Sequence, residues 1–228
     1  ESVAISQSGN IIVSGGWNGG LNIWKEVIRR WGLAQDLEDP GAEIYNVWIS
    51  PDEQTVISAG GSKSIDIWKN NQEKFELDNS LDEEDGGHSV DIWSIAALSD
   101  GKTIISGDSS GVIKVWKLSG ESWELYQTLN CRDGVSKGGV VSISLSTDGK
   151  TMVSSSQNKI QVWALNEAGY WVLSETLFGH TDVVNSVKMS ADGSIIVSGS
   201  DDNSIIIWQL NEGGQWVVKQ VLNVESNG

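Results

Sequence analysis

Two histidines and one run of acids are the residues best suited to chemistry in this sequence. His88 and His180 are candidates for acid–base catalysis or metal binding, and the carboxylates of residues 82–85 are candidates for Ca²⁺. The acidic run lacks the alternating ligand spacing of a calcium cage, so it fits a solvated loop better. No nucleophile elbow, phosphate loop or zinc-protease motif occurs. The sequence therefore predicts that the protein is not an enzyme and has no catalytic residue, metal site or cofactor.

The charge of the chain limits what it can bind. Its 228 residues carry a net charge of −16, which repels phosphate, and no apolar run reaches the length of a membrane span. We therefore expect no nucleic-acid or membrane partner, and instead a protein or peptide partner of basic character. Cys131 is the only cysteine, so no internal disulfide forms. The single cysteine and the lack of a signal peptide favour the cytoplasm.

An internal repeat explains the positions of the two histidines. Five strand-like segments end in a tryptophan at intervals of 44–48 residues: Trp24, Trp68, Trp116, Trp163 and Trp208. A second aromatic residue follows seven or eight positions later in each repeat: Trp31, Phe75, Trp123, Trp171 and Trp216. We call such a set of equivalent positions a column. His88 and His180 share a column, which favours a structural role over a catalytic one.

Each repeat divides into four short strands separated by polar turns. The second strand is apolar at nearly every position, which indicates that both of its faces are covered, whereas the fourth strand alternates and is half exposed. A four-stranded antiparallel sheet of this kind is typical of a propeller blade. We predict an all-β fold, a β-propeller of five four-stranded antiparallel blades in one domain, residues 1–228. The predicted blades cover about residues 1–40, 41–84, 85–131, 132–179 and 180–228.

The repeat resembles that of the WD-repeat family. The likeness is clearest in the last unit, where Gly179-His180 is followed by SVKMSADGSIIVSGSDDNSIIIW, which ends at Trp208. The residue after the strand-end tryptophan is never the aspartate that names the family. The resemblance implies a structural hydrogen-bond network in the last repeat that joins His180, Ser198, Asp202 and Trp208.

The other repeats depart from this network. His88 precedes Ser110 by the interval that separates His180 from Asp202, so the third repeat is expected to have the histidine but a serine in place of the acid. Repeats one, two and four also lack the full set. We therefore expect a single complete network, with more apolar packing elsewhere, and a greater loss of stability from His180→Ala than from His88→Ala.

Three tryptophans fall outside the two aromatic columns: Trp17, Trp48 and Trp93. Trp17 lies in a turn between second and third strands, and Trp93, like Tyr45, begins a first strand. In the WD-repeat family these loops form a docking face. Together with Asn185 and Asp201 they are expected to bind a basic or amphipathic segment, because Trp and Tyr supply a large contact area. The alternative is that these aromatics plug a narrow channel or pack on neighbouring blades.

The sequence thus favours an interaction scaffold that binds a protein or peptide through one face of the propeller. One alternative is a lectin-like propeller that binds carbohydrate, although Trp17 and Trp93 have no equivalents in the other repeats. Another is a part of a larger propeller, whose ring is completed by further blades or by association. A five-bladed monomer is favoured, and its closure would depend on packing alone, because no terminal strand is left to complete a shared blade.

Overall fold

The structure is a computed structural model that describes residues 2–27, 30–38, 42–72, 74–131 and 138–223. Over these residues the chain forms twenty β-strands and no helix, so the described part contains no helix able to cross a membrane. The strands of this part form five four-stranded sheets. The prediction of an all-β fold of the propeller type, with five four-stranded antiparallel blades, is confirmed.

Each sheet is a meander of four consecutive strands, and the sheets are numbered as blades one to five. Blades one and two comprise β1 Ser2–Ile5, β2 Ile11–Gly15, β3 Gly20–Val27, β4 Arg30–Glu38, β5 Ile44–Ile49, β6 Thr55–Gly60, β7 Ile65–Asn71 and β8 Lys74–Leu81. Blade three comprises β9 Ile92–Ala97, β10 Thr103–Asp108, β11 Val112–Ser119 and β12 Ser122–Asn130. Blades four and five comprise β13 Val140–Leu145, β14 Thr151–Ser156, β15 Lys159–Leu165, β16 Trp171–Phe178, β17 Val184–Met189, β18 Ile195–Ser200, β19 Ser204–Leu210 and β20 Trp216–Asn223.

Burial explains the contrast between the second and fourth strands. Strands β6 and β10 are buried at every position. Strand β12 buries only an aromatic residue near its start and a leucine near its end, Trp123 and Leu129. A second strand has a neighbour on both edges and cover on both faces, so a polar side chain there would lose water unless it found a partner. A fourth strand has one free edge, and it tolerates polar residues.

A serine and an aspartate close the hairpin between the first and second strands in blades four and five. The Ser146 hydroxyl donates to Asp148 Oδ1 at 2.6 Å and accepts from the Thr151 backbone N–H at 2.9 Å. Ser190 and Asp192 repeat this arrangement, and the hydrogen bond from the Ser190 hydroxyl is the main cause that lowers the pKa of Asp192 to about 2. Such local bonds satisfy the backbone of the turn and determine where the hairpin reverses.

The chain divides into two compact units. Unit one comprises Glu1–Asp108 and Lys114–Tyr126, and unit two comprises Ser109–Ile113 and Gln127–Gly228. In unit one, Val47 of blade two joins a buried cluster with Val13 of blade one. In unit two, Val187 of blade five joins a buried cluster with Val153 of blade four. Within each unit, the first strand of one blade packs against the second strand of the blade before it. A single domain over the whole chain stays a prediction.

Junctions between blades share an outer clamp, a glutamine whose amide bonds both backbone groups of one residue in the next blade. In unit one, Gln35 Nε2 donates to the Phe75 carbonyl and the Phe75 N–H donates to Gln35 Oε1, both at 2.8 Å. In unit two, Gln127 makes the same pair of bonds with Trp171, at 2.8 and 2.9 Å. These paired bonds fix the position of one outer strand along the next.

The same kind of junction has an inner clamp, a serine at the first strand of one blade. In unit one, the Val47 backbone N–H donates to Ser2 Oγ at 3.2 Å. In unit two, the Val187 backbone N–H donates to Ser142 Oγ, also at 3.2 Å. Each bond joins the first strands of successive blades. Inner and outer clamps therefore hold a junction at both of its ends, with apolar side chains between them.

We expect Ser155→Ala to stabilise the fold. Ser155 lies in β14, is fully buried, and its hydroxyl oxygen has no hydrogen-bond partner among the described residues. The other blades have glycine or alanine in this column. A buried hydroxyl without a partner costs roughly 1–3 kcal/mol. Its removal should raise the free energy of unfolding by about 1 kcal/mol and the melting temperature by about 2–4 °C in thermal denaturation.

Ser154→Ala is the matched control for Ser155→Ala. The Ser154 hydroxyl is also fully buried, but it accepts a hydrogen bond from the Trp163 indole N–H at 2.9 Å. Its loss should lower the melting temperature, because the indole donor is left without its acceptor. If Ser155→Ala lowered the melting temperature as well, the account of an unsatisfied hydroxyl would be wrong.

Candidate functional site

A hydrogen bond between a tryptophan and a serine recurs in every blade. The indole N–H of the strand-end tryptophan donates to a serine hydroxyl of the second strand at 2.9–3.2 Å, in the pairs Trp24–Ser14, Trp68–Ser58, Trp116–Ser106, Trp163–Ser154 and Trp208–Ser198. The bond joins neighbouring strands through their side chains in addition to the backbone ladder. The strand-end tryptophans therefore serve the fold, because each indole N–H is already used.

Blade five extends this pair into a four-residue network. His180 bonds Ser198 Oγ through Nε2 at 2.8 Å and Asp202 Oδ2 through Nδ1 at 2.9 Å. Burial by itself raises the pKa of Asp202, but hydrogen bonds from the Ser204 hydroxyl, the Thr181 backbone and His180 together lower it well below its ordinary value. The Asp202 carboxylate is therefore held in its ionised form beside the imidazole.

The structure corrects the expectation for blade three, which has a complete network. His88 Nε2 lies 2.7 Å from Ser106 Oγ, and His88 Nδ1 lies 2.8 Å from Asp108 Oδ2. The Trp116 indole completes the set through the same serine. The acid is Asp108 and not a residue at the position of Ser110. Two blades, three and five, therefore have a full network in the described part of the chain.

A fixed interval misled the sequence interpretation of blade three. The interval between His180 and Asp202 selects Ser110, which lies beyond the end of β10. Asp108 is instead the last residue of β10, two positions earlier, and a carboxylate at the strand end reaches the same ring nitrogen. The available signal was an acid two residues after the network serine, within the strand itself.

Blade four has a cysteine beside its network serine. Cys131 is buried, and its Sγ lies 3.8 Å from Ser154 Oγ. It approaches the serine from the connection before the first strand of the blade, as His180 approaches Ser198 in blade five. The sequence interpretation missed this contact because Cys131 and Ser154 are 23 residues apart, whereas His180 and Ser198 are 18 apart. The one cysteine of the chain therefore belongs to the interior of a blade.

Two of the predicted partner-binding residues, Tyr45 and Trp93, lie at β-bulges. The register between β5 and β6 shifts at Tyr45, and the register between β9 and β10 shifts at Trp93. A bulge inserts one extra residue and turns its side chain away from the regular alternation. Trp93 is accordingly 38% exposed, although Ile92 before it is fully buried.

Trp17 lies beside these bulges in unit one. It is 64% exposed in the turn between β2 and β3. The Ile44 backbone N–H donates at 3.1 Å to the carbonyl that precedes Trp17, which holds this turn one residue from Tyr45. The Asn46 side chain then donates to the Trp93 carbonyl at 3.5 Å. Unit one therefore brings Trp17, Tyr45 and Trp93 to one edge, which we call the aromatic edge.

Acidic groups surround the aromatic edge. The Tyr45 hydroxyl donates to the Glu43 carboxylate. The connections β6–β7 and β8–β9, at the same edge of unit one, line a pocket of about 300 Å³ formed by Ser62, Lys63, Asp82, Glu83, Glu84 and His88. The acidic run is thus part of the β8–β9 connection. Carboxylates outnumber cations in this lining by three to one, so the electrostatic surroundings favour a basic ligand.

The remaining predicted partner-binding residues, Asn185 and Asp201, contact each other in unit two. Asn185 Nδ2 donates to Asp201 Oδ1, and both residues are exposed. Asn185 also lies at a bulge, between β17 and β18, as Tyr45 and Trp93 do in their own blades. The five predicted residues therefore form two groups, an aromatic trio in unit one and a polar pair in unit two.

These features define a class of protein: a propeller built from repeated four-stranded blades, each with a tryptophan–serine bond between its strands. A family model described as "WD domain, G-beta repeat" matches residues 1–25, 81–117, 123–164 and 171–209, which is more than half of the chain. The chain therefore belongs to the WD-repeat family. A search of curated proteins found no significant match.

Blade two falls outside the residues matched by the family model, but it has the same four strands and the Trp68–Ser58 bond. WD-repeat propellers are in general non-enzymatic scaffolds, and a general role in protein interaction follows for this chain. Among the described residues, no group of three or more His, Cys, Asp or Glu side chains is placed to hold a metal ion.

Proposed function

We propose that this protein is a non-enzymatic scaffold that binds a basic protein or peptide segment at its aromatic edge. One observation carries the proposal: two β-bulges place Tyr45 and Trp93 beside the exposed turn of Trp17. Residues that obey the regular alternation of a strand pack into the blades. The bulges remove Tyr45 and Trp93 from that pattern and present their rings at a loop edge, where a rigid scaffold commonly carries its binding residues.

The chemistry of the aromatic edge suits an extended segment with lysine or arginine side chains. Trp and Tyr provide much contact area with few rotatable bonds, and they are the residues most often found at energetic centres of interfaces. A cation over an exposed ring contributes roughly 0.5–2 kcal/mol. The Glu43 carboxylate and the acidic connection before β9 add attraction that steers a basic segment toward the rings.

The polar pair of unit two is proposed as a second contact for such a partner. Asp201 is an exposed carboxylate, and its hydrogen bond to Asn185 holds the acceptor in one orientation. An oriented carboxylate suits a guanidinium, which binds two acceptor positions in a plane. Asp201→Asn should therefore weaken binding less than the loss of two aromatic rings, because a rim charge contributes mainly to the association rate.

The carbohydrate-binding alternative has less support. A lectin-like propeller would repeat one tryptophan platform in every blade. The strand-end tryptophans bond serines through their indole nitrogens, and the second aromatic column is buried in blades two, three and four. The exposed rings of the aromatic edge come instead from unrelated positions, Trp17 and Trp93.

We expect the double variant Trp17→Ala, Trp93→Ala to lose at least tenfold in affinity for basic peptides. The loss of two interface aromatics commonly exceeds 2 kcal/mol, although both residues are exposed and their removal should leave the fold intact. Binding is measured by titration calorimetry with lysine- and arginine-rich peptides selected on an array with the wild-type protein.

Tyr170→Ala is the matched control for the aromatic edge. Tyr170 is 45% exposed, but it lies before β16 in unit two, far along the chain from the aromatic edge. Its removal should leave affinity for the peptides unchanged. Undiminished binding by the double variant would end the proposal, and selective binding on a glycan array would favour the carbohydrate alternative.

A further inference from the structure

The last blade exposes a face that the other blades bury. Leu222 of β20 is 40% exposed, whereas the four leucines of its column are 2–8% exposed: Leu37, Leu81, Leu129 and Leu177. A Cβ added at Gly15 of blade one would lie 2.4 Å from Ile44 Cγ2 of blade two. A Cβ added at the equivalent Gly199 of blade five would meet nothing within 4 Å. We call this surface of blade five the trailing face.

The trailing face also carries both clamp residues. Gln220 is in the column of Gln35 and Gln127, which bond the outer strand of the next blade. Ser186 is in the column of Ser2 and Ser142, which accept from the first strand of the next blade. Gln220 and Ser186 are both exposed. The trailing face therefore has the polar groups as well as the apolar surface of a complete junction half.

The first blade exposes the complementary half. Val3 of β1 is 70% exposed, whereas the valines and isoleucines of its column are at most 6% exposed: Val47, Ile95, Ile143 and Val187. Trp31 of β4 is 43% exposed, although Phe75 and Trp171, the residues that receive an outer clamp, are almost fully buried. We call this surface of blade one the leading face.

We propose that the trailing face binds the leading face of a second copy of this chain. The junctions inside each unit are the template: Gln220 would bond the backbone of the partner's Trp31, and Ser186 would accept from the N–H of the partner's Val3. The apolar side chains between the clamps would be buried as they are at the other junctions. Because the two faces differ, the association is head-to-tail and not symmetric about the contact.

The specificity of this contact lies in the clamps. A purely apolar face would accept many partners, but Gln220 and Ser186 demand backbone groups at two positions set by the geometry of one blade against the next. Only another blade of the same repeat presents a strand N–H at the inner position and both backbone groups of one residue at the outer position. The residues involved are separate from the aromatic edge, so this proposal does not rest on the proposed peptide site.

Sedimentation equilibrium with two complementary variants tests the proposal. The wild-type chain should show a mass that rises above 24.6 kDa with concentration. Leu222→Asp disables the trailing face and Val3→Asp disables the leading face, so each variant alone should stay monomeric. An equimolar mixture of the two should form a heterodimer, because one intact face of each kind remains. Gln220→Leu should weaken the wild-type association about tenfold through the loss of two hydrogen bonds.

Leu173→Asp is the matched control for the added charge. Leu173 is 48% exposed on β16, and its column mates Leu33, Leu77 and Val218 are exposed to a similar extent, so it belongs to no junction. This variant should associate like the wild type, and circular dichroism verifies that all variants are folded. A wild-type chain that stays monomeric at every concentration overturns the proposal. A mixture of Leu222→Asp and Val3→Asp that fails to pair overturns it as well.

Discussion

Replacing His88 by alanine is expected to lower the free energy of unfolding by about 2–4 kcal/mol, as much as replacing His180 does. Both rings are buried, and each bonds a serine hydroxyl and an aspartate carboxylate. Removal of the ring leaves these groups short of a partner, which costs about 1–3 kcal/mol for a neutral group and more for a charged one. Urea denaturation of the two variants measures the difference.

Asp108→Ala separates the observed acid from the one that the repeat interval selects. It should cost as much as His88→Ala, and the double variant little more than either, because both side chains act through one hydrogen bond. Ser110→Ala is the control and should cost much less. A clearly larger loss for His180→Ala than for His88→Ala would contradict the second network and restore the expectation drawn from the sequence.

Gly60→Ala is expected to destabilise the fold by about 3 kcal/mol or more. A Cβ at this position would lie 1.9 Å from the carbonyl oxygen of Glu43 and 2.9 Å from its carbonyl carbon. Both are backbone atoms, so no side-chain rotation relieves the overlap, and overpacking of this severity exceeds the usual cost of roughly 1–3 kcal/mol. The backbone that must move leads directly into the bulge at Tyr45, so the variant should also weaken binding at the aromatic edge.

Gly199→Ala is the control for the glycine substitution. Nothing lies within 4 Å of a Cβ at this position, and its φ is in the region that any residue adopts. Alanine in a strand is favoured over glycine by roughly 0.5–1 kcal/mol, so stability should be unchanged or slightly higher. The melting temperatures of both variants provide the comparison. A Gly60→Ala protein as stable as the wild type would show that the Glu43 backbone yields without cost.

The blades could be predicted from the sequence because each of them depends on local patterns. Alternation within a strand, an apolar second strand and polar turns recur in every repeat, and the Trp68 strand of blade two shows them although the family model does not match there. The network of blade five was also predictable, because His180 and Asp202 are at the positions that the family pattern requires. The column that contains Tyr45 and Trp93 was visible for the same reason.

Features that depend on where a strand ends or bulges were not predictable in this way. Asp108 reaches His88 because β10 extends to include it, and Cys131 meets Ser154 across a connection whose length no pattern defines. The exposure of Trp93 follows from a register shift between two strands. Each of these outcomes is set by pairing or packing between segments and not by the residue types of one segment.

The sequence by itself determined the repeat, the all-β class, the number of blades and the membership of the WD-repeat family, because burial alternates within each strand in a way that residue types alone reveal. Only the tertiary structure decided which acid completes the network of blade three and which aromatic rings emerge from the blades. It alone also showed the clamps between blades, since Gln35 and Phe75 meet only after two sheets have packed. The physical reason is that hydrogen-bond partners distant in the chain are chosen by strand register and sheet packing.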